Sequence, residues 1–254
     1  MSWGKALVLT AIPARIGTFA ALPTHAMSED LLEGLLSQSS WMPCLTDPQA
    51  KSVRQAISVV AFAAGTTVCA RSTPSAHWMG VIEGMLKLEN ISEGGKSSSF
   101  ASVPAGAWFG EGAVLKGELR PYEVVALRDS RVAFLPRKNF LQLLDESHPF
   151  ALWLIAHLNA RLGHYVALVQ NFRLGDTTAQ VAYSLSGLFN PALFPNTQRC
   201  ITISQEELGR LAGVSRQVAN RALQELQERG AIRVSYGAIE VMDLEVLQYV
   251  AREA

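Results

Sequence analysis

The stretch "LGRLAGVSRQVANRALQELQERG", residues 208–230, has the spacing of two helices that meet at a glycine. Ser204 stands three residues before a glutamate, which is the pattern of a capping box and predicts the start of a helix. Gly213 supplies the turn, because a tight bend favours a residue that tolerates positive φ. Ser215 is expected to cap the second helix, and Gly230 to end it.

The second helix is amphipathic. Val218, Ala222 and Leu226 repeat every four residues and are expected to face inward, while small Gly209 lets the first helix cross close by. Outward-facing polar residues are predicted at Arg216, Gln217, Asn220, Arg221 and Gln224. Arginine can bond both acceptors of a guanine, and glutamine or asparagine can do the same to adenine. The capped helix start at Ser215 favours contacts with phosphate.

A two-stranded wing is predicted next, because residues 231–241 alternate apolar and polar side chains about a Tyr-Gly turn. Residues 199–233 contain six arginines and four glutamates, so this surface can be basic although the formal net charge of the chain is zero. The simpler alternative is a helical pair that binds protein. Caps, turn glycine, outward arginines and wing together favour a winged helix-turn-helix that binds double-stranded DNA.

The composition fits a globular chain with room for more than one core: 254 residues, 49% of them hydrophobic and 17% charged. Three scattered cysteines (Cys44, Cys69 and Cys200) give neither a metal-ligand spacing nor a disulfide framework, and a reducing cytoplasm fits them. No metal site is predicted. No apolar run is long enough to predict a membrane span. The sequence contains no recognisable nucleophile beside a general base and no paired carboxylates, so it does not predict an enzyme.

Residues 1–27 are expected to be a flexible extension or a misassigned start. They weakly resemble a signal peptide, but Pro13 and Arg15 interrupt the apolar run. Met27 directly precedes a helical pattern that Ser28 can cap.

Between residues 57 and 135 the chain alternates short β-prone runs with Gly, Pro and Ser. Strands of this length and spacing predict an antiparallel sandwich or barrel. Residues 93–99, "EGGKSSS", predict a hairpin turn.

A long helix is predicted after Pro149. Its apolar residues keep a 3–4 spacing, which is typical of a coiled-coil seam and predicts a homodimer. The predicted seam residues are Ile155, Leu158, Leu162, Tyr165, Val169 and Phe172. The alternative is a helix buried in its own domain, and because Leu154, Val166 and Leu168 make the other flank apolar, we expect packing on both sides. Residues 174–176 predict a hinge before a second helix at about 177–189.

The chain resembles the Crp/Fnr family of bacterial transcription regulators over residues 28–250, most closely in "ITISQEELGRLAGVSRQVANRAL". The resemblance implies an α+β fold with an N-terminal antiparallel β-roll sensor (a cupin-like jelly roll) at residues 28–145. It further implies a dimerisation helix at 146–173, a C-terminal winged helix-turn-helix domain at 174–254, and action on RNA polymerase. It also implies that Arg216, Gln217 and Arg221 contact bases; Asn220 is added from its outward position.

The sensor retains part of the family's cyclic-nucleotide site. The resemblance implies that Gly110 lets the backbone approach phosphate, that Glu111 holds the ribose and that Arg120 binds the phosphate. Pro121 stands where the family has a hydroxyl residue, and it offers neither a hydroxyl nor an N–H. We therefore expect no cyclic nucleotide and predict no cofactor. The roll is expected to persist as a scaffold that binds another effector or none. The alternative function is a cyclic-nucleotide-binding module whose DNA domain is vestigial.

Four isolated side chains could extend the sensor's chemistry. Cys69 or His77 could bind haem, although a lone residue of this kind in a β domain usually serves packing. His157 and His164 lie seven residues apart on one stripe of the long helix and could sense pH. Packing on a solvated or interdomain face is the simpler expectation for both.

Overall fold

The computed structural model describes residues 25–91, 97–174, 176–195 and 197–252. Most of the expected N-terminal extension, most of the predicted hairpin turn and Gly175 of the predicted hinge lie outside these ranges. The first helix begins at His25, so the prediction that Ser28 caps it is wrong. Ala26 and Met27 are good helix formers, and the helix can therefore extend before the serine.

The helices and strands follow one another in the predicted order. The helices are α1 (His25–Gln38), α2 (Asp47–Ala56), α3 (Glu111–Lys116), α4 (Arg137–Glu146), α5 (His148–Leu174), α6 (Thr177–Ser186), α7 (Gln205–Leu211), α8 (Arg216–Glu228) and α9 (Leu244–Val250). The strands are β1 (Ser58–Phe62), β2 (Thr67–Cys69), β3 (His77–Glu83), β4 (Met85–Ile91), β5 (Ser97–Pro104), β6 (Trp108–Phe109), β7 (Glu123–Ala126), β8 (Ser130–Pro136), β9 (Cys200–Ile201), β10 (Ile232–Ser235) and β11 (Ala238–Val241).

The predicted β-roll is confirmed as two antiparallel sheets, with strand orders β1-β8-β3-β6 and β2-β7-β4-β5. β4 and β5 pair as a hairpin, but β5 already begins at Ser97, so the end of the predicted turn is strand. The long apolar run 77–91 divides at Gly84, whose φ of +92° favours glycine. β6 and α3 were not predicted, since both are too short to show a period.

A tryptophan cluster fills the sensor core beneath the long helix. The ring centroids of Trp41 and Trp78 are 5.0 Å apart, and those of Trp78 and Trp108 are 4.5 Å apart. Trp108 donates a hydrogen bond from Nε1 to Ser39 Oγ at 2.8 Å, which satisfies its buried polar atom. Phe150 of α5 packs in the same core. The start of α5 is therefore part of the sensor.

The C-terminal domain combines α6 to α9 with a small sheet of order β10-β11-β9. Its apolar core also contains Met85 from β4, and α7 packs against β5. Arg128 donates to the carbonyl oxygens of Gly84 at 3.2 Å and Thr202 at 3.4 Å. The C-terminal domain is thus packed on the sensor of its own chain.

The four isolated side chains lie in packed surroundings. Cys69 and Tyr122 border the roll core, and burial raises the pKa of the Cys69 thiol. His77 meets Phe134 edge to face. His157 is buried, and His164 stacks on Tyr183 of α6, so the interdomain expectation for these two is confirmed. None of the described helices is both long enough and apolar enough to cross a bilayer.

Candidate nucleic-acid interface and sensor site

Both helices of the helix-turn-helix are capped by the predicted serines, although the described contacts of Ser204 include only the serine half of the predicted capping box. Ser204 Oγ accepts a hydrogen bond from Glu207 N–H at 3.1 Å, and Ser215 Oγ accepts one from Val218 N–H at 3.3 Å. Gly213 lies between the two helices with φ of +67°. A Cβ at Gly209 would lie 3.0 Å from the carbonyl oxygen of Val214, so a small residue is needed where the helices cross.

Helix α8, the second helix of the motif and the one expected to contact DNA bases (the reading helix), exposes the predicted polar face. Arg216, Gln217 and Arg221 are exposed, while Asn220 is only partly exposed at the edge of this face. Val218, expected inside, is partly exposed as well. The buried face consists of Ala219, Ala222, Leu223 and Leu226. The prediction of an amphipathic reading helix is confirmed, with its inward face centred one residue later than expected.

The arginines around α8 divide into paired and unpaired groups. Arg210 forms an ion pair with Glu206 at 2.6 Å, and Arg229 forms one with Glu225 at 2.7 Å. None of the described carboxylates pairs with Arg216 or Arg221. The free positive charge of this surface therefore lies on the exposed face of α8, where DNA phosphates and guanines would need it.

The predicted wing is formed by β10 and β11. Its turn places Tyr236 in full exposure and gives Gly237 a φ of +71°. Val234 N–H donates to Gln227 Oε1 at 2.8 Å, which fixes the wing to α8. β9 adds a third strand that sequence patterning missed, because two residues carry no alternation.

The three predicted sensor residues come together at the start of α3. Gly110 has φ of +89°, and a Cβ there would lie 3.5 Å from Arg120 Nη1. Glu111 and Arg120 are 3% and 2% exposed. Glu111 Oε2 and the Nε and Nη1 atoms of Arg120 have no hydrogen-bond partner among the described residues. This interior can take a ligand that donates to a carboxylate and accepts from a guanidinium.

Arg161 of α5 also reaches this site, and the sequence-based reasoning missed it. Its Nε lies 2.8 Å from Glu111 Oε1, at ion-pair distance but without the alignment of a hydrogen bond. Its Nη2 donates to the Trp108 carbonyl oxygen at 3.1 Å. A usable signal was present, since Arg161 is the one Asp, Glu, Lys or Arg between residues 149 and 172.

Tyr122 adds a half-buried side chain with a hydroxyl beside these charges. Burial, and secondly the negative charge of Glu111, raise the pKa of Tyr122 to about 12. The hydroxyl therefore remains protonated at neutral pH and can donate. Pro121 contributes neither a side-chain hydroxyl nor an N–H at this point.

The long helix exposes an apolar stripe. Its members are each at least half exposed: Leu152, Ile155, Leu162, Val166 and Val169. Leu158 packs instead against the sensor core, and Tyr165 faces a small cavity between α5 and β5. Of the predicted seam, Ile155, Leu162 and Val169 thus lie on the free surface, while Leu158 and Tyr165 are turned toward their own chain. Phe172 is exposed but touches the helix-turn-helix domain at Gly213.

Comparisons with known proteins agree with this architecture. Residues 59–147 match the cyclic nucleotide-binding domain family, and residues 179–250 match the Crp-like helix-turn-helix domain family. The Cyclic AMP receptor protein of Thermus thermophilus is 30% identical over 171 residues, which are 67% of this chain and 77% of that protein. Transcriptional regulator SdrP of the same organism is 26% identical over 201 residues, 78% and 96% of the two chains.

The solved structure of FixK2 from Bradyrhizobium japonicum resembles this fold with a TM-score of 0.66 at 16% identity, over 78% of this chain and 98% of that one. The chain belongs to the Crp/Fnr family and is a DNA-binding transcription regulator.

Proposed function

We propose that the protein acts as a homodimer that inserts two copies of α8 into successive major grooves of a near-palindromic DNA site. The half-sites then lie about 34–36 Å apart, one turn of the double helix. The observation that carries this proposal is that Arg216 and Arg221 lie on the exposed face of a capped helix and form no ion pair with any described carboxylate. Their neighbours Arg210 and Arg229 are already held by carboxylates.

The reading residues divide by chemistry. Arg216 and Arg221 suit guanine, and Gln217 suits adenine. Asn220, partly exposed, can contact a base only at the edge of this face. Ser215 starts α8, and the free N–H groups of that helix end favour a phosphate. Gln217 carries an amide rather than a carboxylate, so the base that it contacts in each half-site is expected to be adenine rather than cytosine.

The dimer surface that we propose is the exposed apolar stripe of α5. Leu152, Ile155, Leu162, Val166 and Val169 follow the 3–4 spacing of a coiled-coil seam. Asn159 is exposed and falls in the same series between Ile155 and Leu162. A single asparagine in such a seam fixes the register of the two helices.

Cyclic nucleotide is not the effector in this proposal. Pro121 removes the hydroxyl and the N–H that would hold a phosphate, and each lost bond to a charged group costs about 1.5–3 kcal/mol. Arg161 already pairs with one oxygen of Glu111, the residue that would hold a ribose. The intact reading helix argues against a vestigial DNA domain.

The bound dimer recruits or blocks RNA polymerase in the cytoplasm. This part of the proposal rests on the relatives, which are transcription regulators.

Capture and sequencing of fragmented genomic DNA tests the proposal. The full chain and its Arg216→Ala and Arg210→Ala variants are compared, with and without cyclic AMP or cyclic GMP. Wild type and Arg210→Ala are expected to enrich one near-palindromic site under every condition, and Arg216→Ala is expected to lose preference at one base. Enrichment only with a nucleotide would refute the effector proposal, and unchanged preference in Arg216→Ala would refute the base-reading role.

A further inference from the structure

The segment 190–195, "NPALFP", belongs to the C-terminal domain, but two of its side chains are buried in the sensor. Leu193 and Phe194 are 1% and 8% exposed, and they lie in the apolar core of the roll. Leu88 and Val103 of the sensor strands belong to the same core. We call residues 190–195 the plug segment, because its two apolar side chains enter the roll beside α5.

The plug segment is a compact turn. The Asn190 carbonyl oxygen accepts hydrogen bonds from Leu193 N–H at 3.1 Å and Phe194 N–H at 2.7 Å. The Asn190 side-chain oxygen accepts one from Ala192 N–H at 3.0 Å. These bonds present Leu193 and Phe194 as one unit, so the two side chains enter or leave the roll together.

A chain of polar contacts joins the plug segment to the sensor site. His157 Nε2 lies 3.1 Å from Arg161 Nη2, and His157 Nδ1 lies 3.1 Å from the Ala192 carbonyl oxygen. Arginine can only donate, so Nε2 accepts and the ring proton is on Nδ1, which donates to Ala192. Arg161 in turn pairs with Glu111. The buried carboxylate is thus linked through two side chains to the backbone of the plug segment.

The seated plug segment leaves little free volume. Phe100, Arg161 and Tyr165 border the remaining cavity together with Leu193 and Phe194, and its volume is about 50 Å³. Such a cavity holds a few water molecules. Sites for organic ligands usually measure about 300–1,000 Å³. A ligand at this end of the roll and the plug segment therefore exclude each other.

We propose that the plug segment is an internal occupant of the sensor, and that a ligand with an apolar body acts by displacing it. Displacement removes Leu193 and Phe194 from the roll and breaks the bond from His157. Both changes detach the DNA-binding domain from its own sensor. A ligand can shift this equilibrium because it binds only the state in which the plug segment is out.

The protein binds DNA more weakly when the plug segment lies in the roll (the seated state) than when the segment is displaced. This inference rests on the dimer proposed above. The helix-turn-helix turn contacts the end of α5, since a Cβ at Gly213 would lie 3.2 Å from Phe172 Cε1. α5 carries the proposed dimer surface, so this contact keeps both turns close to the dimer axis. DNA requires the two reading helices to stand about 34 Å apart.

Hydrogen exchange on the full chain without DNA tests directly whether these contacts hold the plug segment in the roll. The variants are Leu193→Ser/Phe194→Ser, which removes the apolar anchors, and His157→Leu, which removes the polar one. Pro191→Ser, at an exposed position of the same segment, is the matched control. The backbone amides of residues 192–194 are expected to exchange about tenfold faster in the first two variants, within the usual range of such couplings, and at the wild-type rate in the control. Equal rates in wild type and both variants would overturn the proposal.

DNA affinity at one fixed salt concentration tests the consequence. The double variant is expected to bind the captured site about tenfold more tightly, His157→Leu to gain less, and Pro191→Ser to match wild type. Faster exchange with unchanged or weaker DNA binding would show that the plug segment only packs against the roll, and would overturn its regulatory role. Because exchange involves no DNA, a failure of base reading would abolish binding in all four proteins and leave the exchange differences in place.

Discussion

Arg161 Nε lies 2.8 Å from Glu111 Oε1, and this ion pair joins the long helix to the sensor. The two side chains are 19% and 4% exposed, so little water screens the pair. Taken out of water, each charge depends on the other for compensation. The pair therefore fixes α5 against the roll before any ligand binds.

Arg161→Met is expected to lower the free energy of unfolding by about 3–5 kcal/mol, because it leaves the Glu111 charge buried without compensation. Urea denaturation measures this. The double variant Arg161→Met/Glu111→Gln removes both charges and is expected to recover part of the loss. Equal losses in the single and double variants would contradict a coupled pair.

Leu162→Glu is expected to convert the dimer to monomers, because it places a charge in the middle of the proposed seam. Sedimentation at micromolar concentration measures the change. Leu119→Glu is the matched control, since Leu119 is 58% exposed and lies outside α5. If Leu162→Glu sediments as wild type does, the stripe is not the dimer surface.

Gln217→Glu is expected to move the preference of one base in each half-site from adenine toward cytosine, since a carboxylate accepts from the cytosine amino group. Binding to a randomised half-site library measures the preference. Gln224→Glu adds the same charge to an exposed position farther along α8 and is expected to leave the preference unchanged. A general loss of affinity without a change of base would show that position 217 senses only charge.

Gly209→Ala is expected to destabilise the C-terminal domain by about 1–3 kcal/mol, because its Cβ would lie 3.0 Å from the backbone oxygen of Val214. Gly34→Ala is the control within a helix. A Cβ there meets nothing within 4 Å, so this variant is expected to gain up to about 1 kcal/mol. Unfolding in urea gives both changes, and a Gly209→Ala protein as stable as wild type would show that the helices can separate.

Folding stability is expected to fall as the pH drops below about 6.5, the ordinary pKa of histidine. Burial first, and then the positive charge of a neighbouring arginine, lower the pKa of His77 and His164. Burial also lowers the pKa of His157, with Glu111 opposing and Arg161 adding to the effect. In this pH range the unfolded chain binds more protons than the folded one, so protonation favours unfolding.

Urea midpoints at pH 7.5 and 5.5 measure this dependence, above the range in which ordinary carboxylates titrate. Wild type is expected to have the lower midpoint at pH 5.5. The double variant His157→Gln/His164→Gln is expected to lose much of the difference. A wild-type midpoint that does not change between the two pH values would contradict the assignment.

The sequence predicts best what is decided locally. Ser204, Gly213 and Ser215 were predictable because a cap or a turn depends on a few adjacent residues. The exposed apolar stripe of α5 was less predictable from the sequence. Leu152 and Leu158 both keep a 3–4 spacing with Ile155, and both flanks of the helix are apolar, so the spacing alone does not show which residues face outward. Contacts between distant segments follow no period. The isolated charge of Arg161 is visible in the sequence, but its partner Glu111 and the contacts of the plug segment were found only in the folded chain.

The tryptophan cluster gives the two halves of the molecule different optical signals. All five tryptophans precede residue 154, whereas the C-terminal domain contains only tyrosines among its strongly absorbing side chains. Emission excited at long wavelength therefore follows residues that precede the C-terminal domain, while far-ultraviolet circular dichroism follows the helices of both halves. Coincident melting curves from the two methods would mean that the sensor and the C-terminal domain unfold as one cooperative unit. Separated curves would mean that each half unfolds in its own transition.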